Sequence, residues 1–200
     1  MPLVLVSIGK VAYLVRHAER MDFNSQGEWD NQWPARAIAL GLNPNDAPLT
    51  EEGRIQARQA AMSIQDSPIK VYTSPFLRCT QTADILASAK GVEMVISTDL
   101  TEWMNVEWFW SCYEHLEQIH FKDNKSQFLP EHPRFPESRV SYKERCIQVL
   151  DALKSMSEDE FPLVLVTHGG GIHHILNQHD SKIMIGKSVG YADVFRIELF

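Results

Sequence analysis

The sequence predicts an α/β fold: three layers, α/β/α, with a mostly parallel central sheet and helices on both faces. Three observations carry that expectation. Strand-like and helix-like segments alternate along most of the 200 residues, the pattern of parallel strands joined by helical crossovers. The strand-like segments Val11 to Val15 and Leu163 to Thr167 are continuous apolar runs, as strands covered on both faces are. Both runs lead into a histidine, at the strand ends where open α/β sheets place their active groups.

The elements follow in order. Val11 to Val15 is β-rich and runs into Arg16-His17. Thr50 can cap a helix whose first turn holds Glu51 and Glu52, acids that suit the positive end of a helix dipole, and helix formers continue to about Gln65. A short strand, Lys70 to Thr73, comes next. Ser74 and Pro75 read as N-cap and first helical position, Phe76 to Lys90 as the helix, and Gly91 as its stop. Val92 to Ser97 is a further strand. Ser141 with Glu144 forms a capping-box pattern opening a helix to about Met156. Leu163 to Thr167 leads into His168-Gly169-Gly170-Gly171, and Val194 to Leu199 supplies a last strand.

Two regions stand outside this alternation, Met21 to Pro48 and Thr101 to Arg139. They read as loops, about 21–48 and 101–139, inserted into a single domain spanning 1–200. Loops of this length are usually lids or disordered segments, and tryptophans at 29, 33, 103, 108 and 110 favour lids; such aromatics either cover the core or, the reading preferred, form an apolar wall around a leaving group.

A hydrophobic share of 44% with 22% charged residues suits one well-buried core. The formal net charge of −7 leaves no general basic field for nucleic acid or anionic membranes. The three cysteines, Cys79, Cys112 and Cys146, are odd in number, widely spaced and without a CxxC pair. They suggest neither a disulfide framework nor a zinc site, and make a reducing, cytoplasmic setting the default. The apolar start Pro2 to Val6 lacks a basic flank before it and is too short to span a bilayer. That start and the last strand each offer an edge at which a homodimer can pair.

The chemistry-bearing residues sit at the strand ends. Arg16-His17-Ala18-Glu19-Arg20 follows the first strand. Later come Pro48-Leu49-Thr50 with Gly53, Ser74 to Arg78 with Thr80-Gln81-Thr82-Ala83, Glu102 after a strand, and Thr167-His168-Gly169. Each is weak alone, but the ordered set, covering nearly the whole chain, resembles the histidine phosphatase (phosphoglycerate mutase-like) superfamily. Arg20 and the Glu102-Trp103 pair make it most similar to the phosphatase domain of the Sts (ubiquitin-associated and SH3 domain-containing) proteins. Ala18 stands where the motif has glycine.

The resemblance implies a metal-independent phosphomonoesterase that needs no cofactor and acts on a phosphorylated small molecule or a phosphoprotein, phosphotyrosine among the candidates. It implies His17 as nucleophile, Glu102 as the acid that protonates the leaving oxygen, and His168 as a charged donor to the phosphate. The residues agree with that chemistry. Transferring a phosphoryl group is chiefly positioning and charge neutralisation, and Arg16, Arg20 and Arg78 can supply the cations without a metal because guanidinium stays charged and grips two oxygens. His17 must present an unprotonated nitrogen, its other nitrogen held by a backbone carbonyl. A carboxyl in an anionic pocket should have a raised pKa.

Each residue also has a plainer reading. Arginines usually end in surface salt bridges and lone histidines in cores, but histidines at two strand ends favour the functional role. Asp99 and Glu107 are substitutes for Glu102. His173, His174 and His179 follow no metal-ligand spacing and read as solvent-facing helix residues, so no metal is expected, and Cys79 reads as packing with no base beside it. Two other functions stay open: a phosphoglycerate-type mutase, and a catalytically weak domain that binds phospho-ligands or a protein.

Overall fold

The computed structural model describes residues 9–23, 27–109, 112–182 and 188–200. The Pro2 to Val6 run and Trp110 lie outside the described residues. Strand β1 (Lys10–Arg16) is buried from Val11 to Val15, as an apolar run without alternation requires. Short helix α1 (Trp33–Ala39) interrupts the first inserted region and carries a proline in its first turn, where the missing N–H costs nothing. Helix α2 (Glu51–Ser63) starts at Thr50, whose hydroxyl accepts the Gly53 N–H at 2.9 Å. Strand β2 (Lys70–Thr73) leads to α3 (Leu77–Lys90), which stops at Gly91 in the left-handed conformation, φ 68°. Strand β3 (Glu93–Ile96) precedes the second inserted region, which holds the short helices α4 (Val106–Phe109) and α5 (Tyr113–Leu116). Helix α6 (Arg139–Ser155), β4 (Leu163–Thr167), α7 (Gly169–His179) and β5 (Val194–Leu199) complete the order.

Two helix starts differ from expectation. Ser74 does not cap α3: the helix begins at Leu77 after Phe76, and the Ser74 hydroxyl contacts His168 instead. Ser141 does not open α6: the cap is Ser138, whose hydroxyl accepts the Ser141 N–H at 3.0 Å.

The sheet runs β3-β2-β4-β1-β5. The β1–β4, β2–β4 and β2–β3 pairs are parallel, and β5 alone joins antiparallel, on β1. Successive strand residues point to opposite faces, so each strand feeds two cores. Val11, Tyr13, Val15, Val71, Val164 and Val166 pack with α2 and α3. Ala12, Leu14, Leu163, Leu165, Ile197 and Leu199 pack with α6 and α7. This is the expected three-layer sandwich. Each fully buried leucine in it, such as Leu14, Leu150 or Leu165, contributes roughly 1.5–3 kcal/mol over an exposed one. Among the described residues no helix is long and apolar enough to cross a membrane.

Candidate active site

The parallel register aligns the carboxyl ends of β1, β4 and β2, pairing Arg16 with Thr167 and Thr73 with Val166. The His17 N–H donates to the Thr167 carbonyl at 3.0 Å. Two histidines 151 positions apart therefore leave neighbouring strand ends together, with ring centroids 5.4 Å apart.

His17 is buried. Its Nδ1–H donates to the Ala18 carbonyl at 2.9 Å, the backbone anchor the chemistry asks for, which leaves Nε2 with its lone pair. Burial, then the charges of Arg78, His168, Arg20 and Arg16, push the ring well below its usual range, so the imidazole is neutral. The turn that holds it is fixed from outside: the Ala18 N–H donates to Thr82 Oγ1 at 3.1 Å and the Glu19 N–H to Gln56 Oε1 at 3.0 Å. Alanine at 18 brings no backbone strain, since the only described non-glycine residue at positive φ is Ala192, and its methyl joins the α2–α3 core. Gly53 is required, because a Cβ there would stand 2.2 Å from the Glu19 carbonyl oxygen.

His168 is also fully buried. Its Nε2 lies 2.9 Å from Ser74 Oγ, and its Nδ1 lies 3.3 Å from Glu102 Oε2 and 3.3 Å from Arg78 Nη2. The tautomer that serves Ser74 and Glu102 donates Nδ1–H to the carboxylate and accepts the Ser74 hydroxyl at Nε2, which leaves Arg78 Nη2 in contact with Nδ1 but not hydrogen-bonded to it. Burial lowers His168 to about 4, the neighbouring carboxylate offsetting only part of that. The expectation of a charged donor is thus corrected for the free site.

Glu102 differs from expectation in the same way. Burial raises it, but His168 and Arg78 outweigh burial and hold the carboxyl well below its usual range. Its Oε1 accepts from the Trp103 N–H at 3.1 Å and the Tyr142 hydroxyl at 3.4 Å. Neither proposed substitute takes its place. Asp99 is buried and accepts from Ser97, Gln127 and Phe128, while Glu107 is exposed on α4.

The three arginines are held differently. Arg16 lines the cleft, donates Nη1–H to the Val189 carbonyl at 2.6 Å and lies 4.2 Å from the Tyr191 ring centre. Arg20 lines it too, but its Nε and Nη2 are taken by Asp22 at 2.5 and 2.6 Å, which leaves Nη1. Arg78, 2% exposed, backs the site through His168 and Glu102 and lies 4.5 Å from the Phe76 ring centre. Among the described residues, Arg16 Nε and Arg78 Nε are buried donors without an acceptor.

The site opens into a cleft of about 1180 Å³ whose outer walls include Trp103, Trp108, Tyr142, His173 and His174. The tryptophans divide. Trp103 and Trp108 form the expected wall, Trp33 is a core residue with Ala37 and Ala47, and Trp29 packs on Phe23. His173 is exposed, as expected, and His174 half-buried, and both line the rim of the cleft. Cys79 does have a base beside it, with Sγ 3.5 Å from His168 Nε2, but burial pushes the thiol up to about 12 and it stays protonated packing. All three cysteines are free and buried. No cluster of His, Cys, Asp or Glu able to hold a metal occurs among the described residues.

A family model, the histidine phosphatase superfamily (branch 1), matches residues 12–183. The chain belongs to this superfamily. It is 26% identical to the ubiquitin-associated and SH3 domain-containing protein A of Mus musculus over 80% of its own length and 31% of that protein. It is 36% identical to a probable phosphoglycerate mutase, GpmB, of Photorhabdus laumondii, over 45% of its length and 36% of that one. The chain thus spans about a third of the length of these curated relatives. Its fold matches the ecdysone phosphate phosphatase of Bombix mori in complex with tungstate with a TM-score of 0.62 at 16% identity, over 94% of this chain and 88% of the other.

The sequence singles out His17, His168, Glu102, Arg16, Arg20 and Arg78, and the fold brings all six around the two histidines. Sequence reasoning gives Ser74 no role beyond a motif position and a helix cap, and it misses Tyr142, Tyr191 and Arg145. Arg145 is buried against Glu137 in a two-pronged ion pair, with both contacts at 2.8 Å, and donates to the carbonyls of Asp99, Thr101 and Glu102. A basic residue inside the otherwise apolar stripe of α6 was the one available signal for it.

Proposed function

We propose that this chain is a metal-independent phosphomonoester hydrolase that works through a phosphohistidine on His17, with a bulky phosphomonoester, phosphotyrosine among them, as substrate. The observation that carries the reading is the neutral His17 ring, tied at Nδ1 and free at Nε2, among the cations Arg16, Arg20 and Arg78. Its Nε2 forms the new bond to phosphorus while the bond from phosphorus to the leaving oxygen breaks. The arginines, with the unspent donors on Arg16 and Arg78, neutralise the phosphoryl oxygens.

In the free site Glu102 is ionised and His168 neutral. A bound phosphate places negative charge beside both and raises both, so the proton that the leaving oxygen takes from Glu102 is drawn in with the substrate. His168, once protonated, stabilises the transferred charge. The Glu102 carboxylate then takes a proton from water, whose oxygen attacks phosphorus and frees His17 and inorganic phosphate.

Release of phosphate from para-nitrophenyl phosphate, with chelator present, by the parent and by His17→Ala tests the reading. Turnover by the parent and a loss of at least ~1000-fold in the variant is expected; equal rates would remove His17 as nucleophile. The partial likeness to a phosphoglycerate mutase supports a second reading, in which the phosphoryl group passes to another acceptor. A phosphoglycerate incubated with the protein separates the two, giving free phosphate on the first and the isomer on the second.

A further inference from the structure

Resting on the reading of His17 and its arginines as a phosphoryl-transfer site, the cleft has far more room than a phosphate needs, about 1180 Å³ where pockets for small molecules run to roughly 300–1000 Å³. Its outer part has a definite chemistry. Trp103 and Trp108 meet edge to face at 5.8 Å and form an aromatic wall. The first turns of α6 and the flank of α7 line the same cleft. Arg139 and Lys143, four residues apart, share one face of α6 and both line the cleft.

The Arg139 guanidinium lies 4.9 Å from the Trp103 ring centre, a stacking that orients its planar fork while leaving N–H groups for a guest. Lys143 reaches the same space, where burial, His173 and Lys143 together lower His174. Glu144 is the acidic residue on this rim. Four of the six Asp, Glu, Lys and Arg residues lining the cleft are cationic, on a chain of formal charge −7. Arg16 and Arg20 belong to the phosphate, so Arg139 and Lys143 are cations that the phosphoryl chemistry does not use.

We propose that Arg139 and Lys143 form a second anion subsite, which with the Trp103–Trp108 wall selects phosphomonoesters whose bulky leaving group bears a carboxylate or similar acidic group. The aromatic body of such a substrate rests on the tryptophans, its phosphate faces His17, and its distal anion meets the two cations. Each cation can donate to a bound carboxylate, and hydrogen bonds between ionised groups are the stronger kind.

The test compares 4-carboxyphenyl phosphate with its neutral isostere 4-carbamoylphenyl phosphate in the parent, Arg139→Gln, Lys143→Gln and the double variant. Lys182→Gln, exposed and outside the cleft, is the control. The parent is expected to prefer the carboxylate at least ~5-fold in kcat/KM, each single variant to lose part of that ratio, and the double variant to bring it to about one; Lys182→Gln keeps the parental ratio. A parental ratio of one, or a ratio unchanged in the double variant, overturns the subsite. Phosphotyrosyl peptides with glutamate or glutamine beside the phosphotyrosine carry the same chemistry, and a preference confined to one substrate pair assigns the small-molecule or the peptide source. Calorimetric binding of the same compounds gives the same ratio without turnover. A protein that binds the carboxylate preferentially but hydrolyses neither compound overturns the hydrolase reading and leaves the subsite standing.

Discussion

Burial holds His168 at about 4 against an ordinary value of 6.5, and His17 lies well below its usual range for the same reason. A histidine lowered in the folded state is protonated first in the unfolded chain, so stability falls as pH drops through 6.5 and levels off near 4. Glu102, held below its ordinary 4.5, adds its own loss only beneath that value, which leaves the histidines alone in the upper window. His168 contributes up to about 3 kcal/mol to this acid-side loss. Urea midpoints between pH 7 and 4.5 check it: His168→Gln should flatten the decline without abolishing it, since His17 remains, and saturating vanadate should counter it by stabilising the charged ring. A midpoint that does not move with pH in this window would mean that the two rings are not held neutral.

Between residues and the whole lies the irregular passage from β3 to α6, which carries Glu102 on a backbone without regular hydrogen bonding. Arg145 replaces that missing ladder by donating to the carbonyls of Asp99, Thr101 and Glu102 while Glu137 neutralises it. Arg145→Met leaves the Glu137 carboxylate buried and unpaired, and should cost about 3–5 kcal/mol in denaturant unfolding; a cost below about 1 kcal/mol would show that the passage holds itself. This is also where the sequence was least legible. Strands β1, β2, β4 and β5 and helix α2 were readable because apolar period and a local cap suffice to define them. Ser74 and Ser141 misled as caps because a serine hydroxyl takes whichever partner the fold brings, and for Ser74 that partner, His168, is 94 positions away. The site motifs could be found in order, but the proton states of Glu102 and His168 could not, because they depend on burial and on each other.

At the scale of the molecule, adjacent parallel strands do the assembling. β1 and β4 share a register, so their ends deliver His17 and His168 to one point, and β2 and α3 add Ser74 and Arg78 from the next strand along. The acidic surface and the cationic cleft divide the chain's charge between solvation and binding. The central claim is that this convergence makes His17 a phosphoryl acceptor, and the most direct measurement is to quench turnover of an aryl phosphate rapidly and map the phosphoryl adduct by mass spectrometry. An acid-labile, base-stable adduct is expected on the peptide containing His17 and absent in His17→Ala; an adduct on any other residue, or turnover at the parental rate in His17→Ala, would contradict that role.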